Sequence, residues 1–172
     1  MLTLSSALRV DGEFCLEVFS GSGVMTLGIL MHRIPAVRPW DIQHGERFNV
    51  LTHEPILALL IEAGRIVSTH MGTPCQSSTL ARCPQLRSLA QPRGISNFSG
   101  HDATLLRQGN ELIDVSVRLA WCLLLNNGYF SIENPFPCWI WVNPTIVKLW
   151  EHLCVVLITF SMWCYGAPYD KV

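Results

Sequence analysis

The chain has 172 residues, a formal net charge of −1, 49% apolar residues and 15% charged residues. This length suits a single domain, its apolar content excludes a disordered chain, and its near-neutral charge argues against a protein that grips nucleic acid mainly through a broad basic face. Seven cysteines are odd in number and too few for a disulfide scaffold, and no Cys/His cluster has zinc spacing, so the reading is reduced thiols in an intracellular compartment, nuclear or cytoplasmic, without a structural metal.

Residues 1–12 read as a short extension and 13–172 as one domain. The start, Met1 to Arg9, has no basic segment followed by a long apolar core, so it is a poor signal peptide. Phe14 to Ser20 predicts a strand, stopped by Gly21-Ser-Gly23, and Val24 to His32 suits a helix. Ala36 to Ile42 predicts a second strand, weakened by Pro39. Glu54 to Ala63 carries Leu57, Leu60 and Ile61 at helical spacing and ends at Gly64 as a C-cap. Arg65 to Met71 predicts a third strand. From Gln76 to His101 the chain is rich in Ser, Pro and Gly without apolar periodicity, which predicts a long loop. Ala103 to Asn127 predicts a helix, with Gly109 as a candidate break costing roughly 1 kcal/mol. Tyr129 to Glu133 predicts a fourth strand, and a short helix follows Pro144. The apolar stretch from Leu153 is about half the length that spans a bilayer, so Leu153 to Phe160 is read as a fifth, buried strand and no membrane is expected. Trp163 to Val172 begins an element, with the look of a hairpin, that the chain does not finish. Strands alternating with helices imply right-handed βαβ units and a mostly parallel α/β sheet.

Four strand ends carry candidate chemistry. Phe19-Ser20-Gly21-Ser22-Gly23 is a glycine-rich turn from strand to helix, which lets backbone approach a ligand. Without a third glycine it does not favour a dinucleotide. Asp41, next to Ile42, follows Gly23 by about the interval at which a strand-end carboxylate meets ribose hydroxyls. Cys75, held on a loop by Pro74, is placed as a nucleophile, whereas Cys15, Cys122, Cys138 and Cys154 lie in apolar runs and read as inert. Glu133, at the end of the fourth strand, is placed to hydrogen-bond a ring nitrogen and share its proton.

In this order the set resembles the cytosine-C5 DNA methyltransferases. Phe19-Ser-Gly-Ser-Gly23 resembles the cofactor loop, Pro74-Cys75-Gln76 the nucleophile motif and Glu133-Asn134-Pro135 the Glu-Asn-Val motif, over residues 14–136. The chain departs from the family in having Thr73 before Pro74-Cys75, Asn49 where an Asp is usual, and no Gln-x-Arg-x-Arg segment after Glu133. The resemblance implies a Rossmann-like fold with a mostly parallel sheet flanked by helices. It implies S-adenosylmethionine as cofactor, with Phe19, Ser20, Gly21, Gly23, Asp41, Ile42 and Pro74 lining its site, and DNA as partner. Cys75 would then add to C6 of a flipped-out cytosine while Glu133 holds N3. Arg82, Arg87 and Arg93 on the long loop become candidates for DNA phosphates. Gly21, Gly23, Asp41, Cys75 and Glu133 would line one crevice. The rival readings are a methyltransferase for another substrate and a non-catalytic version of the fold that binds cofactor or a partner.

Overall fold

Three short runs rich in β-branched and apolar residues form strands β1 (Phe14–Val18), β2 (Ile66–Met71) and β3 (Tyr129–Ile132). The computed structural model, which describes residues 11–161, pairs them in parallel in the order β1-β2-β3. Register puts Leu16, Thr69 and Phe130 in one row and Val18, Met71 and Ile132 in another. Because side chains alternate across a strand, the rows Cys15–Ser68–Tyr129 and Glu17–His70–Ser131 face the other way. Parallel strands need long crossovers. Helices α1 (Val24–Met31) and α2 (Val50–Glu62) lie between β1 and β2 in sequence, and α3 (Gly100–Leu125) lies between β2 and β3. The fold is therefore α/β, with a small parallel sheet and accompanying helices.

The expected second strand runs beside β1 in parallel but makes only isolated bridges, at Cys15–Ala36 and Val18–Trp40. Its regular ladder fails at Pro39. Val37 donates its N–H to the Cys15 carbonyl, and the next bond, to the Glu17 carbonyl, comes from Trp40. Pro39 has no N–H to give, so the register slips by one residue there. β1 is still flanked on both sides, by this segment and by β2.

The described residues form two compact units. The first comprises 11–73 and Asp114–Glu133, with the sheet, α1, α2 and the second half of α3. Its core is built from Leu16, Val18, Leu57, Leu60, Ile66, Met71, Leu119 and Leu123, all essentially buried. Helix α2 starts four residues earlier than expected because Asn49 caps it, accepting the Leu51 N–H at 3.1 Å. Arg118 of α3 grips Glu54 of α2 with both prongs of its guanidinium, at 2.5 and 2.7 Å.

The second unit comprises Pro74–Ile113 and 134–161. Residues 74–99 form no helix or extended strand, as their composition implied. Helix α3 begins at Gly100 and continues through Gly109 without a break. A 3-10 turn at Trp139–Val142, unforeseen in the sequence, leads into α4 (Pro144–Trp150). That helix starts where Asn143 caps it and Pro144 occupies the first turn.

The expected fifth strand is not formed. Residues 155–160 are irregular, with Leu153 99% and Ile158 72% exposed. A strand needs a neighbour for its N–H and C=O groups, and no ladder includes this run. Hydropathy alone had made it a buried element. Cys154, read as semi-buried, is consequently exposed. Residues 1–10 of the expected extension and the element expected to begin at Trp163 lie outside the described residues. No helix among the described residues is long and apolar enough to cross a membrane.

Candidate functional site

The glycine-rich turn leaves β1 through three residues in the left-handed region: Phe19 (φ 56°), Gly21 (φ 51°) and Gly23 (φ 72°). Gly23 has a second reason to be glycine, since a Cβ there would lie 3.1 Å from Pro39 Cγ. Phe19 holds its conformation at a cost of about 1–2 kcal/mol. The turn closes with the Gly23 N–H donating to the Ser20 carbonyl at 2.8 Å. Asp41 is buried and holds this turn from the neighbouring segment. Its Oδ2 accepts the Gly21 N–H at 2.9 Å, and its Oδ1 accepts the Gln43 N–H at 2.9 Å, capping the 3-10 turn Ile42–His44. Each carboxylate oxygen has capacity for a further donor.

Two polar atoms beside this arrangement are buried without a hydrogen-bond partner: the Ser20 hydroxyl and His44 Nε2. The space above Gly21 is open, with nothing within 4 Å of where a Cβ would stand. Phe19 and Ser20 are half-buried, and Ile42 is 52% exposed. An orphan hydroxyl, an open glycine and a carboxylate with remaining acceptor capacity suit a ligand bearing hydroxyl groups, as a nucleoside does.

Glu17 was missed in the sequence. Its buried Oε2 accepts the Thr26 N–H at 2.7 Å and the Thr26 hydroxyl at 2.6 Å. The carboxylate thus reaches across the glycine turn to the first turn of α1, where a negative charge complements the helix dipole. The available signal was an acid inside the apolar run Phe14–Phe19. Glu17 also pairs in register with His70, whose Nδ1 lies 2.8 Å from the Ser131 hydroxyl. Burial pushes the His70 pKa below its ordinary value, while Glu17 and Glu133 oppose that shift.

The carboxyl ends of the strands lie level, since Val18, Met71 and Ile132 share one register row. The Gly72 N–H donates to the Val18 carbonyl, and a Cβ on Gly72 would meet the Phe19 carbonyl oxygen at 3.1 Å. Glu133 follows β3 directly. Its N–H donates to the Met71 carbonyl at 3.0 Å, and the residue is exposed. Both departures near the motifs have structural uses. Thr73 is buried with its hydroxyl 2.8 Å from that of Ser116, a contact proline cannot make. Asn49 is taken up by the α2 cap and by Glu46 Oε1.

The second unit opens at Pro74, and Cys75 next to it is half-buried. The Cys75 carbonyl accepts the N–H groups of Ser78 at 2.7 Å and Thr79 at 2.9 Å, so the thiol-bearing residue starts a tight turn. The buried Cys138 donates its thiol to the Ser78 carbonyl, and burial pushes that thiol up to about 11. Cys15 and Cys122 are likewise raised by burial, so these three are poor thiolates at neutral pH.

Arg87 is not available to a phosphate. It is 1% exposed and spends its guanidinium on Ser77, Pro92 and Asn110. Arg82 is half-buried and ion-paired with Asp102 in the first turn of α3. Arg93 is exposed, and its carbonyl accepts from the Asn110 amide. Among the described residues no group of three or more His, Cys, Asp or Glu side chains is disposed to hold a metal ion. Comparison of the chain with protein-family models, curated proteins and solved structures gave no match.

Proposed function

We propose that the protein is an S-adenosylmethionine-dependent methyltransferase of the cytosine-C5 type, built on a Rossmann-like fold and acting on DNA. The observation that supports this reading most is the hydrogen bond between the Gly21 N–H and Asp41. It ties a glycine-rich turn to a strand-end carboxylate at the carboxyl edge of a parallel sheet, the usual place for ligands in open α/β sheets. The unpartnered Ser20 hydroxyl beside it adds a group ready to bond a ligand.

In this reading Asp41 accepts from ribose hydroxyls with its remaining lone pairs, and the glycine turn gives the ligand close approach to backbone. S-adenosylmethionine supplies an electrophilic methyl group on a sulfonium centre. The Cys75 thiolate adds to C6 of a cytosine extruded from the duplex. Glu133 gives a proton to N3 as electron density builds there, leaving C5 nucleophilic. C5 would take the methyl group with S-adenosylhomocysteine as the leaving group; a base would then remove the C5 proton as the Cys75 thiolate departs from C6, and N3 would return its proton to Glu133. Glu133 is exposed at the end of β3.

A second reading, a non-catalytic fold that binds cofactor or a partner, draws support from the engaged acids and bases. Glu17 and Asp41 already accept N–H groups of the protein, and Arg82 and Arg87 are already engaged.

Isothermal titration with S-adenosylmethionine tests the site common to both readings. Wild type is expected to bind with roughly micromolar affinity, near −8 kcal/mol, and Asp41→Ala to lose about 1–3 kcal/mol because a charged hydrogen bond goes. No heat from wild type at protein concentrations fit for that affinity contradicts the cofactor assignment.

A further inference from the structure

The second unit buries one full cation beside its candidate nucleophile. Arg87 Nε donates to the Ser77 carbonyl at 2.9 Å and Nη2 to the Ser77 hydroxyl at 2.8 Å. On its other side Nη1 donates to the Pro92 carbonyl at 2.8 Å and to Asn110 Oδ1 at 2.7 Å. All four acceptors are neutral. Burying a charge among neutral groups is costly unless its geometry is closely satisfied, and a planar guanidinium fork is the side chain suited to holding two oxygens of one residue at once. The residue so gripped, Ser77, is two positions after Cys75 and lies within the turn that the Cys75 carbonyl closes. Helix α3 makes room for this contact with Gly109, where a Cβ would stand 2.1 Å from Ser77 Oγ.

We propose that Arg87 is a positioning residue for Cys75: its guanidinium clamps Ser77 to the Pro92 and Asn110 side of the loop and so fixes the turn that holds the half-buried thiol. The inference rests on the reading of Cys75 as nucleophile for its purpose, but the clamp itself is measurable without methyl transfer. Releasing Ser77 frees the turn and exposes the Cys75 thiol to small reagents.

The test is iodoacetamide labelling of the full chain under native conditions, resolved by peptide mass spectrometry. Cys83 is exposed and serves as the internal reference, and the thermal unfolding transition reports on the whole fold, because the Cys138 thiol bonds Ser78 in the clamped turn and would open with it. In Arg87→Gln, labelling of Cys75 relative to Cys83 is expected to rise about five-fold or more at a temperature where the variant is still folded, as local opening without global unfolding requires. Should Arg87→Gln not fold, Arg87→Lys keeps the cation with a point donor in place of the fork and is expected to show a smaller rise in the same direction. Where methyl transfer is measurable, the clamp also requires kcat to fall with the KM for S-adenosylmethionine unchanged. Unchanged Cys75 labelling in the folded Arg87→Gln or Arg87→Lys chain overturns the proposal. A wild type that transfers no methyl group, with the labelling shift present, removes the methyltransferase reading and leaves the clamp standing.

Discussion

His70 gives the first unit a pH dependence of definite sign. Burial holds its folded-state pKa below the ordinary value despite Glu17 and Glu133. As pH falls below about 6.5 the unfolded chain takes up the proton before the folded one does, so folding stability is lost on the acid side and is flat above it. Thermal unfolding between pH 8 and pH 5 is expected to show a falling midpoint that His70→Asn partly flattens. An unchanged slope in that variant would assign the acid sensitivity to other groups. The residue scale also divides what was readable from what was not. That Gly21 and Asp41 would meet was legible, because a glycine turn after one run and a carboxylate after the next follow from chain order alone. Glu17 and Arg87 were not, because their roles depend on partners five to 23 residues away that no periodicity reveals.

At the scale of elements, α3 sets two rules against each other at Gly109. Helix propensity favours Ala over Gly by about 1 kcal/mol, which is why the sequence marked a candidate break. Packing opposes it, since the added methyl would stand 2.1 Å from Ser77 Oγ and 3.1 Å from Arg87 Nη2. Overpacking of this kind costs about 1–3 kcal/mol, so packing wins and Gly109→Ala is expected to destabilise the protein in urea. Adding Ser77→Ala in the same chain removes the clashing oxygen and is expected to recover part of the loss. A more stable single variant would show that the turn yields easily. The start of α2 moved from its expected place for a local reason, the Asn49 cap, whereas α4 starts at Pro144 as expected, capped by Asn143. The run from Leu153 misled because apolar content says that a segment suits burial, and says nothing about whether a neighbouring strand exists to pair with it.

At the scale of the molecule, alternation of short apolar runs with helices was enough to give an α/β fold with a parallel sheet. Division into two units was not legible: the Ser-, Pro- and Gly-rich stretch after Pro74 reads as a loop, and the second boundary falls inside α3, where helical periodicity runs on. The same boundary separates the residues by role. The first unit carries the glycine turn, Asp41 and Glu133, and the second carries Cys75 with its Arg87 clamp. The central claim of the proposed function is that the Cys75 thiolate adds to C6 of a cytosine. A duplex containing 5-fluorocytosine tests it most directly, because fluorine at C5 blocks the proton loss that would free the thiolate. With S-adenosylmethionine present, the account requires a covalent protein–DNA adduct at Cys75 in wild type, absent in Cys75→Ser and diminished in Glu133→Gln. Wild type that binds S-adenosylmethionine yet forms no adduct, or Cys75→Ser that still transfers methyl groups, would contradict it.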